Sequence, residues 1–416
     1  MNKKLNVIAV DLTPVLEGEQ TDWTKCFVLD LLSRLADLAP QTCFILLTQA
    51  ASHEELSIME RSNMQRLMVL GCPVLVIPER SRLQRLADRL ILKLKRKLPQ
   101  IMSYLDRQLK PDNTGTLLQK INADLLFCPF TAPTYFEAGI ATVCTIYDLQ
   151  YKTYPQFFAI EDVAYRNRIF TDACQRASAL ATISDFTRDS VIRHGKFDPA
   201  HIRTIYPRMA RQIELNVDND KALLASLKLT PERYLIYPAN FCKHKNHEML
   251  LTAFGMACHK GLPTDIKLVC AGVPSERQAF LRSAVQAMKL ADRVIFSGHV
   301  TNKELTTLMV NSIGLVFPSL YEDFALTVIE AMALGVPVAC SSLTSLPEVA
   351  GNAAILFDPR IPTQIADAMV SLLEDKTLRD RLVRAGYQRA TEFSNSERMA
   401  REYWALFLSA FANVKH

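Results

Sequence analysis

The chain is long enough for two or three globular domains and is only weakly basic. Its 416 residues carry a formal net charge of +5, with 49% hydrophobic and 22% charged residues, a composition typical of a globular protein with a large core. No run approaches the roughly 18 uninterrupted apolar residues of a membrane span. The short apolar stretch at the N-terminus, which ends at Asp11, predicts a first β-strand rather than a signal peptide. The ten cysteines include no C-x-x-C pair, which indicates buried thiols in a reducing cytosol rather than disulfides or metal ligands.

Short apolar strand candidates alternate with helical patterns along the whole chain. The first half holds runs at 6–11, 43–48, 73–77, 124–128, 142–147, 180–183 and 202–206, and the second half at 234–239, 266–272, 293–298, 314–317, 337–341 and 354–357. Continuous apolar runs without alternation predict parallel strands that are covered on both faces, and helices such as 246–259 and 276–290 supply the crossovers. Because these strands are too many for one open sheet, we predict an α/β fold of two doubly wound, Rossmann-like domains.

The polar and turn-rich stretch 208–232 predicts the boundary between these domains. We assign residues 1–208 to an N-terminal domain and 209–416 to a C-terminal domain, with the last helix able to pack back on the N-terminal domain. Ligands of doubly wound sheets bind outside the carboxyl ends of the strands. Two such domains facing one another therefore predict one deep cleft.

The most informative stretch is 321–335, YEDFALTVIEAMALG. Glu322 and Glu330 are eight positions apart, about 2.2 helical turns, so they would not share one face of a regular helix. With Glu322 in the loop before a helix and Glu330 inside it, free backbone N–H groups near 325–328 lie between two carboxylates. Such groups bind phosphate, so the pattern fits a nucleotide-sugar. The alternative is an ordinary amphipathic helix with two surface glutamates.

The residues after this motif carry helix-capping signals. Gly335 is a suitable C-terminal cap, with Pro337 two residues on. Ser345 followed by Glu348 predicts a capping box at the start of another helix.

Two lysines follow the first strand of the second half. Lys243 and Lys245 precede a helix that begins near Asn246. A lysine in such a loop can reach a diphosphate as a mobile point charge. For each lysine alone, a solvated basic loop is the alternative.

No metal site is predicted. His244 and His247 are three positions apart, but no third ligand with suitable spacing follows. The D-x-D triplet at 218–220 lies in the boundary stretch with no strand before it, which favours a polar turn.

The segment 80–98, RSRLQRLADRLILKLKRKL, is strongly amphipathic and basic. Its leucines and its basic residues follow separate helical stripes, so it can lie on an anionic membrane surface. A helix docked by its leucines with solvated arginines is the alternative. Nucleic acid is not an expected partner because the patch has no interleaved aromatic residues. We expect a cytoplasmic protein that can sit peripherally at the inner face of the cytoplasmic membrane.

Taken together, these motifs resemble those of the family 4 retaining glycosyltransferases, which have the GT-B fold, and specifically a bacterial mannosyltransferase-like branch of polysaccharide assembly. The resemblance runs nearly end to end, and it is carried by the blocks 10–16, 147–158, 181–192, 237–247 and 320–359. The last block resembles the family's E-x7-E motif with its surrounding strand, helix and LPEV loop, and it is highly specific.

The resemblance implies roles for individual residues. Glu322 would lie beside the donor sugar, and Glu330 would accept hydrogen bonds from the ribose hydroxyls. Lys245 would contact the diphosphate, whose oxygens the backbone at Leu326 and Thr327 would receive. Members of the family need no metal. The resemblance also implies that residues 1–208 form the acceptor-side domain and that residues 209–416 form the domain that binds the nucleotide-sugar.

The chain departs from the family pattern at four places. Asp323 and Ala325 stand where the family usually has glycines, and the first loop has only Gly18 in place of a glycine pair. Tyr147 replaces a histidine, and Asn240 replaces a common arginine. These departures favour, as the alternative to an active enzyme, a degenerate and catalytically weak homologue that serves as a binding or scaffold subunit.

We therefore predict a retaining glycosyltransferase that moves a hexose, with mannose from GDP-mannose favoured over a UDP-sugar, to a glycan or lipid-linked acceptor. No cofactor and no metal are expected, and a nucleotide-sugar epimerase of the same fold is a third interpretation. The candidate catalytic residues are Glu322, Tyr147 and Asp148, and the candidate donor-binding residues are Gly18, Asn240, Lys243, Lys245, Asp323, Phe324, Ala325, Leu326, Thr327 and Glu330.

Overall fold

Two parallel sheets, each covered by helices, make up the fold. The computed structural model describes residues 4–15, 23–69, 116–208 and 221–414. Within these residues the first sheet has seven parallel strands in the order β3-β2-β1-β4-β5-β6-β7. The strands are β1 Val7–Asp11, β2 Cys43–Thr48, β3 Met64–Met68, β4 Leu125–Cys128, β5 Ala141–Ile146, β6 Ala179–Thr182 and β7 Ile202–Thr204.

Helices connect the strands of the first sheet. Those described are α1 Trp23–Leu38, α2 Ala50–His53, α3 Leu117–Lys120, α4 Gln150–Thr153, α5 Ile160–Arg176 and α6 Asp185–Gly195. Helix α1 buries Phe27, Leu31 and Leu35, which are spaced one turn apart and so form a single apolar stripe. At the start of α6, Oγ of Ser184 accepts a hydrogen bond from the N–H of Thr187 at 3.1 Å, which caps the helix.

The second sheet has six parallel strands in the described residues, in the order β10-β9-β8-β11-β12-β13. The strands are β8 Tyr234–Pro238, β9 Lys267–Ala271, β10 Val294–Gly298, β11 Gly314–Phe317, β12 Val338–Ser341 and β13 Ala354–Phe357. The accompanying helices are α7 Lys221–Ser226, α8 His247–His259, α9 Glu276–Ala287, α10 Asn302–Val310, α11 Leu326–Ala333, α12 Leu346–Ala350, α13 Pro362–Glu374 and α14 Lys376–Glu392. The strands at the middle of the sheet are fully buried, as expected for a sheet with helices on both faces.

The last helix, α15 Ser396–Asn413, packs on the first sheet rather than on the second. Its Tyr403 and Phe407 rings lie 5.7 and 5.0 Å from the ring of Phe127. Nη1 of Arg208 is 2.6 Å from a carboxylate oxygen of Glu402, which ties the end of the first half of the chain to this helix. The C-terminal helix is therefore part of the core of the first domain.

Two contacts from the second domain reach backbone groups of the first. The carboxylate of Glu348 accepts hydrogen bonds from the N–H groups of Asp185 and Phe186 at 2.8 and 2.9 Å. The N–H of Leu149 donates to the hydroxyl of Tyr321 at 3.3 Å. These contacts close the first domain against the second.

The prediction of an α/β fold with two parallel sheets is confirmed. Every predicted strand within the described residues is present, whereas the run at 73–77 lies outside them. Strand β3 was missed because its residues MQRLM, with two polar residues in the middle, form neither a continuous apolar run nor an alternating pattern. The capping-box prediction was wrong, since Ser345 makes no cap hydrogen bond for α12 and Glu348 instead caps a helix of the other domain.

Several predictions fall outside the described residues. They are Gly18, the triplet at 218–220, the basic segment 80–98 and most of the boundary stretch 208–232. The domain boundary therefore stays a prediction. No helix in the described ranges is long and apolar enough to cross a membrane.

Candidate active site

The motif that contains Glu322 forms a loop and helix directly after the central strand β11. The N–H of Leu320 donates to the carbonyl oxygen of His244 at 2.7 Å. The N–H of Glu322 donates to Oγ1 of Thr344 at 3.1 Å, and Oγ of Ser345 donates to the carbonyl oxygen of Glu322 at 2.9 Å. Hydrogen bonds to both sides therefore hold the loop in one position at the carboxyl end of the sheet, where doubly wound folds bind ligands.

Helix α11 opens into the cleft without a side-chain cap. Its N-cap residue, Ala325, makes no side-chain hydrogen bond and has φ −71° and ψ 74°. The N–H groups of an opening helical turn have no partner inside the helix. The N–H groups of Leu326 and Val328 donate to the carbonyl oxygens of Phe324 and Ala325 at 2.8 and 3.0 Å, so the expected set of free N–H groups is only partly present. The N–H of Thr327, helped by the helix dipole, is suited to binding an anion.

Lys245 and Glu322 form an ion pair near the N-terminus of this helix. Nζ of Lys245 is 2.6 Å from Oε1 of Glu322, with side-chain exposures of 20% and 12%. The lysine ends a short 3-10 turn at 243–245, and the hydroxyl of Tyr237 donates to its carbonyl oxygen at 2.8 Å. A largely buried ammonium group thus lines the same cleft as the start of α11.

These groups line one cleft between the two domains, with a volume of about 260 Å³. The second domain contributes most of the wall, and Trp23 and Gln150 come from the first domain. The wall from the second domain consists of Pro238, His244, Lys245, Phe317, Tyr321, Glu322, Asp323, Phe324, Ala325, Leu326 and Thr327. The structure therefore brings together seven of the candidate residues: Glu322, Lys245 and Asp323 to Thr327.

Three further donor-binding candidates lie outside this cleft wall. Glu330 is in the second turn of α11, where burial raises the pKa of its carboxyl group above 4.5. Lys243 is exposed. Asn240 is also exposed, and its side-chain oxygen accepts a hydrogen bond from the N–H of Val273 at 3.2 Å.

Asp323 lines the cleft and is close enough to Asp148 of the first domain to interact with it electrostatically. Its Oδ1 atom is buried and has no hydrogen-bond partner among the described residues. Burial, and then the nearby carboxylates of Asp148 and Glu322, raise the pKa of Asp323 well above its ordinary value of 3.8. A carboxyl group with a raised pKa is more readily protonated, so the repulsion of a diphosphate expected from an extra negative charge is reduced.

The remaining candidates, Tyr147 and Asp148, lie in the first domain and line a neighbouring cavity rather than the cleft. The ring of Tyr147 packs edge-on against Trp23 at 5.7 Å. Asp148 accepts a hydrogen bond from the N–H of Gln150 at 3.0 Å, and its Oδ2 is 3.7 Å from Nη1 of Arg166. The two candidates therefore lie beside the cleft without forming its wall.

Sequence reasoning missed Tyr321, Trp23 and Gln150 as cleft residues. Tyr321 could have been found, because it directly precedes Glu322 in the motif. Trp23 and Gln150 come from distant segments of the first domain. Gln150 lies inside the block 147–158 that carries the family resemblance, but no role was assigned to either residue.

The two histidines near Lys245 are held neutral. His247 is packed between the rings of Tyr237 and Phe241, each 4.8 Å away. Burial lowers its pKa to about 3 and that of His244 to about 4. Neither belongs to a group of three possible metal ligands within the described part of the chain.

Comparison with known proteins finds relatives of the part of the chain that forms most of this cleft. The family described as Glycosyl transferases group 1 matches residues 220–389, which include the ion pair, the cleft loop and α11. The O-antigen chain mannosyltransferase B of Escherichia coli is 28% identical over 257 residues, which are 61% of this chain and 66% of that protein. The matched region thus spans just under two thirds of this curated relative.

Solved structures match the chain over nearly its whole length. Sucrose-phosphate synthase from Thermosynechococcus elongatus superposes with a TM-score of 0.68 at 20% identity, over 98% of this chain and 100% of that one. HepE from Anabaena, in complex with UDP and glucose, superposes with a TM-score of 0.66 at 13% identity, over 97% and 99% of the two chains. At these identities the likeness establishes the fold. The chain has the GT-B fold and carries a glycosyl transferases group 1 domain, and its resemblance to the mannosyltransferase-like branch of the glycosyltransferases is confirmed.

Proposed function

We propose that this protein is a retaining glycosyltransferase that moves a hexose from a nucleotide-sugar to a glycan or lipid-linked acceptor. The observation that carries the proposal is the pairing of Lys245 with Glu322 at the uncapped start of α11. A diphosphate placed there would meet an ammonium group, the N–H of Thr327 and the positive end of the helix dipole at once. This is the arrangement that stabilises a departing anion.

The two charges of the pair suit the two ends of the breaking bond. In glycosyl transfer, positive charge develops at the anomeric carbon and negative charge on the leaving diphosphate. Lys245 and the N–H groups of α11 oppose the negative charge, while Glu322 orients the sugar. Because these groups already supply the positive charge, the chemistry proposed here needs no metal ion.

Mannose from GDP-mannose is the favoured donor. The support is the 28% identity to the E. coli mannosyltransferase. The HepE structure holds UDP and glucose, so UDP-glucose is the alternative donor to test. Glu330, with its carboxyl group free of a described partner, would accept hydrogen bonds from the ribose hydroxyls.

The test compares Lys245→Ala with Lys243→Ala by titration calorimetry, using GDP-mannose, UDP-glucose, GDP and UDP. Lys245→Ala should weaken nucleotide binding by about 1.5–3 kcal/mol, roughly ten- to more than a hundredfold in Kd. Lys243→Ala is the matched control, because this neighbouring lysine is exposed and outside the cleft wall. Equal affinity in both folded variants would contradict the proposal.

Donor hydrolysis and transfer are then measured with and without a chelator. Turnover that is insensitive to the chelator supports the metal-independent mechanism. Tight nucleotide binding with neither hydrolysis nor transfer to any acceptor would instead support the degenerate binding subunit.

Peripheral membrane contact through 80–98 is part of the proposal and rests on the sequence pattern of that segment. Binding to vesicles should rise with their content of anionic lipid and fall with added salt. Absence of binding, or binding that does not depend on salt, would contradict it.

A further inference from the structure

A second cavity lies in the first domain, next to the donor cleft. Its volume is about 400 Å³, within the range of about 300–1,000 Å³ found for small-molecule sites. Its floor is made by residues that directly follow β1, β4 and β5, including Pro14, Phe130 and Tyr147. The cavity is thus at the carboxyl ends of the first sheet, as the donor cleft is at those of the second.

One face of helix α5 forms the opposite wall. Asp162, Tyr165, Arg166 and Ile169 line the cavity, and their spacing of three, four and seven places them on one side of the helix. Phe170, one residue further on, is buried. Polar side chains of a long helix are therefore presented to an open cavity.

The cavity and the donor cleft share a thin wall. Asp148 and Leu149 line the cavity, while the next residue, Gln150, lines the cleft. The N–H of Leu149 donates to the hydroxyl of Tyr321 in the cleft wall. A molecule held in the cavity would therefore lie beside the sugar of a donor held in the cleft.

The charges in the cavity disfavour an anionic ligand. Among its described lining residues the carboxylates of Asp148 and Asp162 outnumber one cation, Arg166. That cation is 3.7 Å from Asp148, and its guanidinium group lies 5.1 Å over the ring of Phe158. A phosphate would meet net negative charge and an engaged guanidinium group, and both weaken its binding.

The same lining is suited to uncharged sugar rings. Ionised carboxylates accept hydrogen bonds from hydroxyl groups. The rings of Phe130, Tyr147 and Tyr165 supply apolar area against which the C–H faces of a sugar can pack. An apolar wall with a few placed polar groups is what a specific small-molecule site requires.

We propose that this cavity binds the uncharged sugar end of the acceptor glycan and discriminates against acceptors whose terminal sugar carries a phosphate. The proposal deepens the glycosyl transfer proposed above and rests on it for the identity of the ligand as the acceptor. It assigns Asp162 as a residue that determines specificity and Tyr165 as a surface for the sugar ring.

The experiment measures binding directly, so it does not require turnover. Mannotriose and maltotriose, and the same trisaccharides with one phosphate on the terminal sugar, are titrated into the full chain by NMR and calorimetry. At least one neutral trisaccharide should bind, and its phosphorylated form should bind at least tenfold more weakly. Tyr165→Ala should weaken binding of the neutral sugar several-fold, whereas Tyr165→Phe should preserve it.

Reversing one charge in the cavity gives the more discriminating binding experiment. Asp162→Lys should narrow the gap between the affinities for the neutral and the phosphorylated sugar. Glu161→Lys makes the same charge change one position earlier in the same first turn but outside the cavity, and it should leave the gap unchanged. A phosphorylated sugar that binds as tightly as its neutral form, no neutral binding at millimolar concentration, or equal effects of the two reversals would overturn the proposal.

Nucleotide titration in the same samples separates this proposal from the proposed function. Nucleotide binding without neutral sugar binding would overturn the assignment of the cavity and leave the donor site standing. Neutral sugar binding without nucleotide binding would support the cavity and contradict the donor site.

Discussion

The two domains present surfaces of opposite character around the cleft. The face on the second domain presents an ammonium group, the N–H groups of a helix start and the carboxylate of Glu322, all within one loop-and-helix unit and one short turn. The face on the first domain presents aromatic rings and carboxylates from several separate segments. The first arrangement is suited to binding an anion, and the second to binding an uncharged molecule with many hydroxyl groups.

This difference shows how a transferase can bind the donor diphosphate and the acceptor in separate environments. Positive charge concentrated on one face can stabilise a departing diphosphate, while it would bring no benefit on the face that holds a neutral acceptor. The contact between Leu149 and Tyr321 keeps the two environments adjacent but distinct. Variants on the second-domain face, at the junction of the domains and between the two faces test this contrast.

The largest expected effect is at Glu330, on the second-domain face. Replacing Glu330 with Gln should weaken nucleotide binding by about 1.5–3 kcal/mol, because a charged acceptor of ribose hydroxyl protons is lost. The same change should raise thermal stability at neutral pH. Burial raises the pKa of Glu330 above 4.5, so the folded wild type loses stability as pH rises through that raised value, whereas the Gln variant does not.

Calorimetric titration with GDP and UDP, together with thermal melts at several pH values, checks both directions. Glu374→Gln is a suitable control, because Glu374 ends α13 and is exposed. A Glu330→Gln protein that is less stable and binds nucleotide as tightly as wild type would assign Glu330 a structural role instead.

The contrast between the faces also explains what could be predicted from sequence. On the second domain, contiguous motifs contain Glu322, Lys245 and the start of α11. Apolar runs predicted the strands that precede these motifs. Local pattern was therefore sufficient to place these residues in one cleft. Their individual roles remain predictions.

On the first domain, local pattern was not sufficient. The cavity wall combines residues that follow three strands with one face of α5, and only the packed fold brings them together. Arg166 and Tyr165 lie in a helix whose sequence shows nothing unusual. The raised pKa of Asp323 was also unpredictable, because it depends on burial in the packed fold and then on the position of Asp148 in the other domain.

An intermediate effect is expected at the junction of the domains. Glu348→Ala would remove the acceptor for the N–H groups of Asp185 and Phe186 at the start of α6. Losses of helix caps cost about 0.5–2 kcal/mol, and here the loss also removes a contact between the domains. We therefore expect a lower Tm together with a larger radius of gyration in small-angle scattering.

Ser184→Ala is the matched control for that variant, since Ser184 caps the same helix from within the first domain. It should lower the Tm by a similar amount without changing the radius of gyration. If both variants leave the radius of gyration unchanged, the Glu348 contact does not hold the domains together in solution.

The smallest effect at acidic pH is expected at Asp323, between the two faces. Its carboxyl group interacts with Asp148, Glu322 and Tyr321. The cations Lys245 and Arg166 act in the opposite direction and favour its ionised form. Burial and the neighbouring carboxylates raise its pKa well above 3.8. Where the group is protonated, replacement with Asn exchanges one uncharged side chain for another of nearly the same shape.

Asp323→Asn should therefore leave stability almost unchanged at pH 4, where Asp323 is protonated in the folded state. As the pH rises above 3.8, the carboxyl group ionises in the unfolded wild type while burial keeps it protonated in the folded state, so the wild type loses stability and the variant does not. The variant should thus become the more stable protein, and the difference between their melting temperatures should grow toward pH 9. Paired melts from pH 4 to 9 measure it. A wild type that gains stability over the variant with rising pH would mean that Asp323 is ionised and paired with Lys245 or Arg166, so that it supports the charged face instead of interrupting it.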